Sequence, residues 1–164
     1  GQLREKVAAA GAQSRVNVQR GDIFNLSFPD ETFDLAFGVH IIPRFDTLEN
    51  QRAALLEVAR TVKPGGRLLF NYRNRRSLVY GRAYKGHAAT PQEMDEILAA
   101  GGLRVTMSRG KMLLNRGLLN RLPLALGRAA AGVDRLMLGT LNSRAWDVFV
   151  LAEKSRGTKS ASDQ

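Results

Sequence analysis

No cysteine occurs in the 164 residues, which excludes disulfides and thiolate chemistry. Two histidines are too few for a protein-built metal site, so no metal is expected. Long apolar runs are missing as well. Nothing approaches the roughly 20 residues needed to span a bilayer, and no signal-peptide pattern opens the chain. The cytoplasm is therefore the expected compartment. Neither G-x-G-x-x-G nor G-x-G-x-G is found, and Walker-type loops, a Ser-His-Asp order and paired carboxylates are absent too.

What remains is an ordinary globular composition, 44% hydrophobic and 24% charged, long enough for one domain with a real core. Charge is unevenly placed. Residues 1–71 hold 9 Lys/Arg against 8 Asp/Glu, whereas residues 72–164 hold 16 against 7. The basic half either faces an anionic partner or is a solvated surface.

The most informative stretch runs from Gly21 to Phe70. Phe33-Asp34-Leu35-Ala36-Phe37 is a short apolar run between polar turns, as a buried parallel strand requires, and Arg67-Leu68-Leu69-Phe70 is another. Between them Leu48, Arg52, Leu55, Leu56, Ala59 and Val62 form a mainly apolar helical stripe. Asp46-Thr47-Leu48-Glu49 reads as a capping box, and Lys63-Pro64-Gly65-Gly66 as the stop. A helix joining two buried strands is a βαβ unit, so the expected fold is α/β with a mostly parallel sheet.

Three segments of this stretch also carry a resemblance: Gly21-Asp22, Ser27 to Leu35 (SFPDETFDL) and Leu56 to Gly66 (LEVARTVKPGG). In this order and spacing they resemble class I S-adenosylmethionine-dependent methyltransferases. More narrowly, they are similar to the group that methylates small molecules, including the quinone-biosynthesis enzymes. The resemblance covers roughly residues 3–110, and its specificity lies in the combination of motifs. It implies a Rossmann-like sheet with an antiparallel last strand, and S-adenosylmethionine as cofactor.

Taken in order, Gln2 to Ala10 is rich in helix formers and is closed by Gly11. Arg15 to Arg20 alternates as a strand, with Val16 and Val18 on one face. By the resemblance, these are the helix after the family's second strand and its third strand. The family's first strand, glycine-rich loop and ribose-binding acid would then lie upstream of Leu3. The expectation is a methyltransferase domain over 1–154 that lacks its N-terminal part. A natural chain that never had that half is the alternative.

The candidate cofactor residues follow from position. Asp22 comes just after the expected third strand, and ligands of open α/β sheets sit beyond the carboxyl ends of strands. Its carboxylate could accept from the adenine amine, the Ile23 amide could donate to a ring nitrogen, and Phe24 could cover the ring. Asp22 could equally cap a turn. Gly38 and Val39 lie where the next strand ends, the loop that in the family passes close to the sulfonium. His40 is the candidate catalytic residue, because imidazole can take a proton from a substrate hydroxyl or carbon acid; a packed or solvent-facing histidine is the plainer reading. A sulfonium is already an activated methyl donor, so positioning and exclusion of water matter more than a fixed acid or nucleophile.

Asn71 to His87 reads as a loop leaving the functional edge of the sheet, with five cations and three tyrosines. It suits a lid for an anionic substrate, a nucleic-acid patch or a solvated loop. Thr90-Pro91-Gln92-Glu93 starts a helix with a capping box, Gly101-Gly102 ends it, and Leu103 to Met107 returns as a strand. Leu113 to Leu141 is leucine-rich and arginine-studded, with Leu126, Ala130, Val133, Met137 and Leu141 sharing one helical face. This insertion would cover the substrate side, or dock peripherally on an anionic inner membrane surface. Ala145 to Ala152 reads as the last strand, and 155–164 as a disordered tail. Together these readings make the chain a methyltransferase acting on a small, lipophilic or anionic molecule. Nucleic-acid methylation and an inactive accessory module are the alternatives.

Overall fold

The computed structural model describes residues 1–77, 86–111 and 144–156. Its elements run α1 (Gln2–Ala9), β1 (Phe33–Gly38), a 3-10 turn (Ile42–Arg44), α2 (Leu48–Thr61), β2 (Val62–Arg73), α3 (Pro91–Ala100), β3 (Leu103–Lys111) and β4 (Asp147–Lys154). The sheet order is β1-β2-β4-β3. β1 runs parallel to β2, while β4 is antiparallel to both β2 and β3. The α/β architecture with an antiparallel last strand is thus present.

One sheet face carries the core. Leu68, Phe70 and Tyr72 alternate along β2 onto Leu55 and Ala59 of α2 and Met94, Ile97 and Leu98 of α3, all within the buried cluster. Each strand residue pointing there has its partner pointing the same way, because side chains alternate with a period of two. Ala36 and Gly38 of β1 pair with Leu68 and Phe70 and share that face. Leu35 and Phe37 point to the other, where they are 55% and 73% exposed.

Helix ends follow local chemistry. Gly11 takes φ +61 after α1. At α2 the cap is Thr47, whose side chain accepts from the Asn50 amide. The expected Asp46-to-Glu49 box does not form, because Asp46 accepts from the Asn50 side chain instead. At α3 the Thr90–Glu93 box is complete in both directions.

Two expectations need correction. Arg15 to Arg20 forms no strand. A strand exists by pairing, and no ladder reaches this segment; the Val18 carbonyl is taken by the Arg4 guanidinium at 3.2 Å instead. Further on, Asn71, Tyr72 and Arg73 remain in β2, since Phe149, Val148 and Asp147 pair across from them. The loop therefore begins later than the composition suggested. The readings placed on 113–141, on residues 157–164 and on 78–85 of the basic segment lie outside the described residues. No helix among the described residues is long and apolar enough to cross a membrane.

Candidate functional site

The loop between α1 and β1 is fastened to α2. Arg60 donates to the carbonyl oxygens of Phe28 and Leu26 and to the Asp30 carboxylate. Glu57 accepts from the Leu26 amide at 2.8 Å and pairs with Arg60 at 2.7 Å. The hydrogen-bonded Arg60 guanidinium holds the Glu57 carboxyl below the usual carboxylate range; partial burial opposes this, and the Leu26 amide reinforces it. This clamp was not singled out in the sequence, although a Glu and an Arg three apart on one helix were its signal.

Midway along that loop Asp22 does cap a turn. Its Oδ1 accepts from the Phe24 amide at 3.0 Å, and its carbonyl accepts from the Asn25 amide at 3.2 Å. Among the described residues nothing hydrogen-bonds the second carboxylate oxygen. No described residue accepts from the Ile23 amide. Phe24 is 42% exposed and leans on Phe45, with ring centroids 5.2 Å apart.

A cleft of about 660 Å³ opens beside β1, lined among others by Gln19, Gly21, Ile23, Phe37, Gly38 and Ile41. Ile23 and Gly38 thus face one space, from the middle of the loop and from the carboxyl end of β1. A Cβ added at Gly38 would meet Ile41 Cδ1 at 3.4 Å, an ordinary contact. The protein's own packing does not demand glycine here, and the missing side chain leaves room within the cleft. Asp22, Phe24, Val39 and His40 are not among the lining residues.

His40 belongs to a different set of partners. It sits at φ +60, and its amide donates to Asn71 Oδ1 at 2.6 Å. Asn71 Nδ2 donates to Asp147 Oδ1 at 2.6 Å and lies 3.4 Å from His40 Nδ1. Asp147 pairs with Arg73 at 2.8 Å, and the Arg73 guanidinium lies over the Trp146 ring. Asn71 and Asp147 are buried, yet His40 itself is exposed. Sequence reasoning missed Asn71 and Asp147, since no local pattern joins residues that far apart. Among the described residues no His/Cys/Asp/Glu group could hold a metal.

The strand order, with a parallel pair beside an antiparallel last strand and a cleft at the carboxyl end of β1, is the fold of the class I S-adenosylmethionine-dependent methyltransferases. Residues 2–70 match the family model described as a methyltransferase domain. The demethylmenaquinone methyltransferase of Mycobacterium tuberculosis (strain H37Rv) is 38% identical over 81 residues, 47% of this chain and 32% of that relative. The matched stretch therefore spans about a third of the relative's length. Among solved structures, the [4+2]-cyclase SpnF aligns with TM-score 0.65 at 19% identity, over 94% of this chain and 61% of that one. A geranyl diphosphate methyltransferase in complex with S-adenosylmethionine aligns with TM-score 0.62 at 12% identity, over 92% and 62% of the two chains.

Proposed function

We propose that this chain supplies the acceptor side and the adenine-facing edge of a methyltransferase that acts on a small molecule with S-adenosylmethionine. The observation that carries the reading is the free donor and free acceptor at adjacent residues, the Ile23 amide and Asp22 Oδ2, beside a cleft that Gly38 keeps open. That donor set suits the adenine edge, where an exocyclic amine and a ring nitrogen need one acceptor and one donor. Phe24 offers an aromatic face to the ring, and Gly38 with Val39 would face the amino-acid end. When bound, the cofactor supplies a methyl group already activated on a sulfonium. This chain's residues then have to bind, orient and exclude water, which its apolar cleft walls suit.

The apolar exposure of Phe37, Val39 and Ile41 supports a lipophilic acceptor. Among the described residues no strand pairs with the outer edge of β1, which supports a further parallel strand beside it, contributed by preceding polypeptide that would also bring the glycine loop and a ribose-binding acid. On this reading the 164 residues alone bind S-adenosylmethionine weakly or not at all. Photo-crosslinking of tritiated S-adenosylmethionine to the longer polypeptide tests the site. Label is expected on the tryptic peptide Gly21–Arg44; a labelled protein with that peptide unlabelled would overturn the assignment.

A further inference from the structure

The polar chain from His40 through Asn71 to Asp147 stands apart from the cleft and fixes more than the course of the loop. We propose that Asn71, oriented by Asp147, holds His40 in the tautomer with its proton on Nε2, so that the exposed ring donates a hydrogen bond to a carbonyl or phenolate oxygen of the methyl acceptor. The identity of the acceptor rests on the methyltransferase reading; the tautomer does not.

The Asn71 amide has one workable orientation. Its oxygen accepts from the His40 backbone amide at 2.6 Å, and its nitrogen donates to the Asp147 carboxylate at 2.6 Å. Turned over, it would set oxygen against carboxylate and N–H against N–H. Asp147 is held in turn by Arg73 at 2.8 Å, and Asn71 is fully buried, so water does not offer either group another partner.

The consequence falls on the imidazole. Asn71 Nδ2 lies 3.4 Å from His40 Nδ1, and an amide nitrogen donates but does not accept. Nδ1 must therefore carry the lone pair, which leaves the proton on Nε2. The ring is steadied on another side by Phe149, edge to face at 6.4 Å between centroids. A general base acting at Nε2 would need its lone pair there. In this arrangement the lone pair faces inward and the outward nitrogen is a donor. Asn71 and Asp147 are positioning residues, acting through His40.

Nitrogen-15 spectroscopy of the histidine side chains in the full-length protein tests this, in buffer alkaline enough to keep the imidazole neutral. The His40 signals are assigned by their loss in His40→Gln. The expected His40 pattern is a protonated Nε2 and an unprotonated Nδ1, with Asp147→Asn moving it toward a mixture of tautomers. Proton on Nδ1 in the wild type, or a pattern unchanged by Asp147→Asn, would overturn the proposal. If that variant does not fold, the wild-type spectrum decides alone. An Nε2–H pattern in a protein that transfers no methyl group would support the tautomer while counting against the proposed function.

Discussion

Lys154, near the end of β4, reaches the last turn of α2 and donates from Nζ to the Ala59 carbonyl at 2.9 Å and the Val62 carbonyl at 2.8 Å. Those carbonyls come where a helix runs out of its own donors and its dipole is negative. One cation thus ties the C-terminus of a helix to a strand nearly a hundred residues later. Lys154→Met, which keeps the apolar stem, should lower stability by about 1–2 kcal/mol. Urea unfolding followed by circular dichroism would measure it, and an unchanged midpoint would show the contact to be idle.

Acid should loosen the clamp on the loop that follows α1. Glu57 is held below its ordinary value of 4.5 by Arg60. A carboxyl with a depressed folded-state value stabilises the fold above its unfolded value, and that contribution is lost as pH falls through the folded one. Stability should therefore decline as pH drops below about 4.5. Glu57→Gln should show a shallower decline, together with lower stability at neutral pH. Denaturation midpoints for both proteins across the acid range would check this.

Gly66 should tolerate no side chain. An added Cβ would lie 2.9 Å from the Lys63 carbonyl oxygen and 3.0 Å from that of Asp34, both backbone atoms that cannot swing aside. Gly66→Ala should cost about 1–3 kcal/mol, read as a drop in melting temperature. Gly38→Ala should be far milder for stability, because the nearest atoms there belong to the Ile41 side chain, at 3.4 Å or more. On the proposed site, that substitution should instead reduce cofactor binding.

Asp22→Asn keeps an acceptor for the turn, whereas Asp22→Ala removes it. On the proposed site, Asp22→Ala should weaken S-adenosylmethionine binding by about tenfold in the polypeptide that carries the complete cradle. Asp22→Asn should fall between the two. Calorimetry on the three proteins would rank them, and equal affinities would remove Asp22 from the site.

The sequence disclosed what short-range chemistry decides. The Thr90–Glu93 box, the Gly11 and Gly101-Gly102 helix ends and the strand at Phe33 follow from a few neighbouring residues, and each stands where the pattern puts it. Arg15 to Arg20 misled because alternation records a capacity for pairing, while a strand needs a neighbour that the described chain does not provide. Asn71, Asp147 and Lys154 were silent for a related reason. Their partners are 31 to 95 residues distant along the chain, and only the antiparallel register of β2 on β4 brings Asn71 beside Asp147. Of the candidate site, Gly38 stands at the carboxyl end of β1, where the sequence put a strand end, whereas Ile23 was placed relative to a strand at Arg15 to Arg20 that does not form. His40 could be found but not its partners.

The border strand β1 has a practical consequence. Among the described residues no strand pairs with β1 on the side away from β2, so its backbone groups there make a ready template for another copy, and Phe33-Asp34-Leu35-Ala36-Phe37 offers a single charge to discourage it. Lys63 helps to keep that charge, holding the Asp34 carboxyl below its ordinary range. Produced alone, the polypeptide should therefore self-associate through this margin, and Asp34→Asn should hasten precipitation. A lysine at Leu35 should keep it in solution.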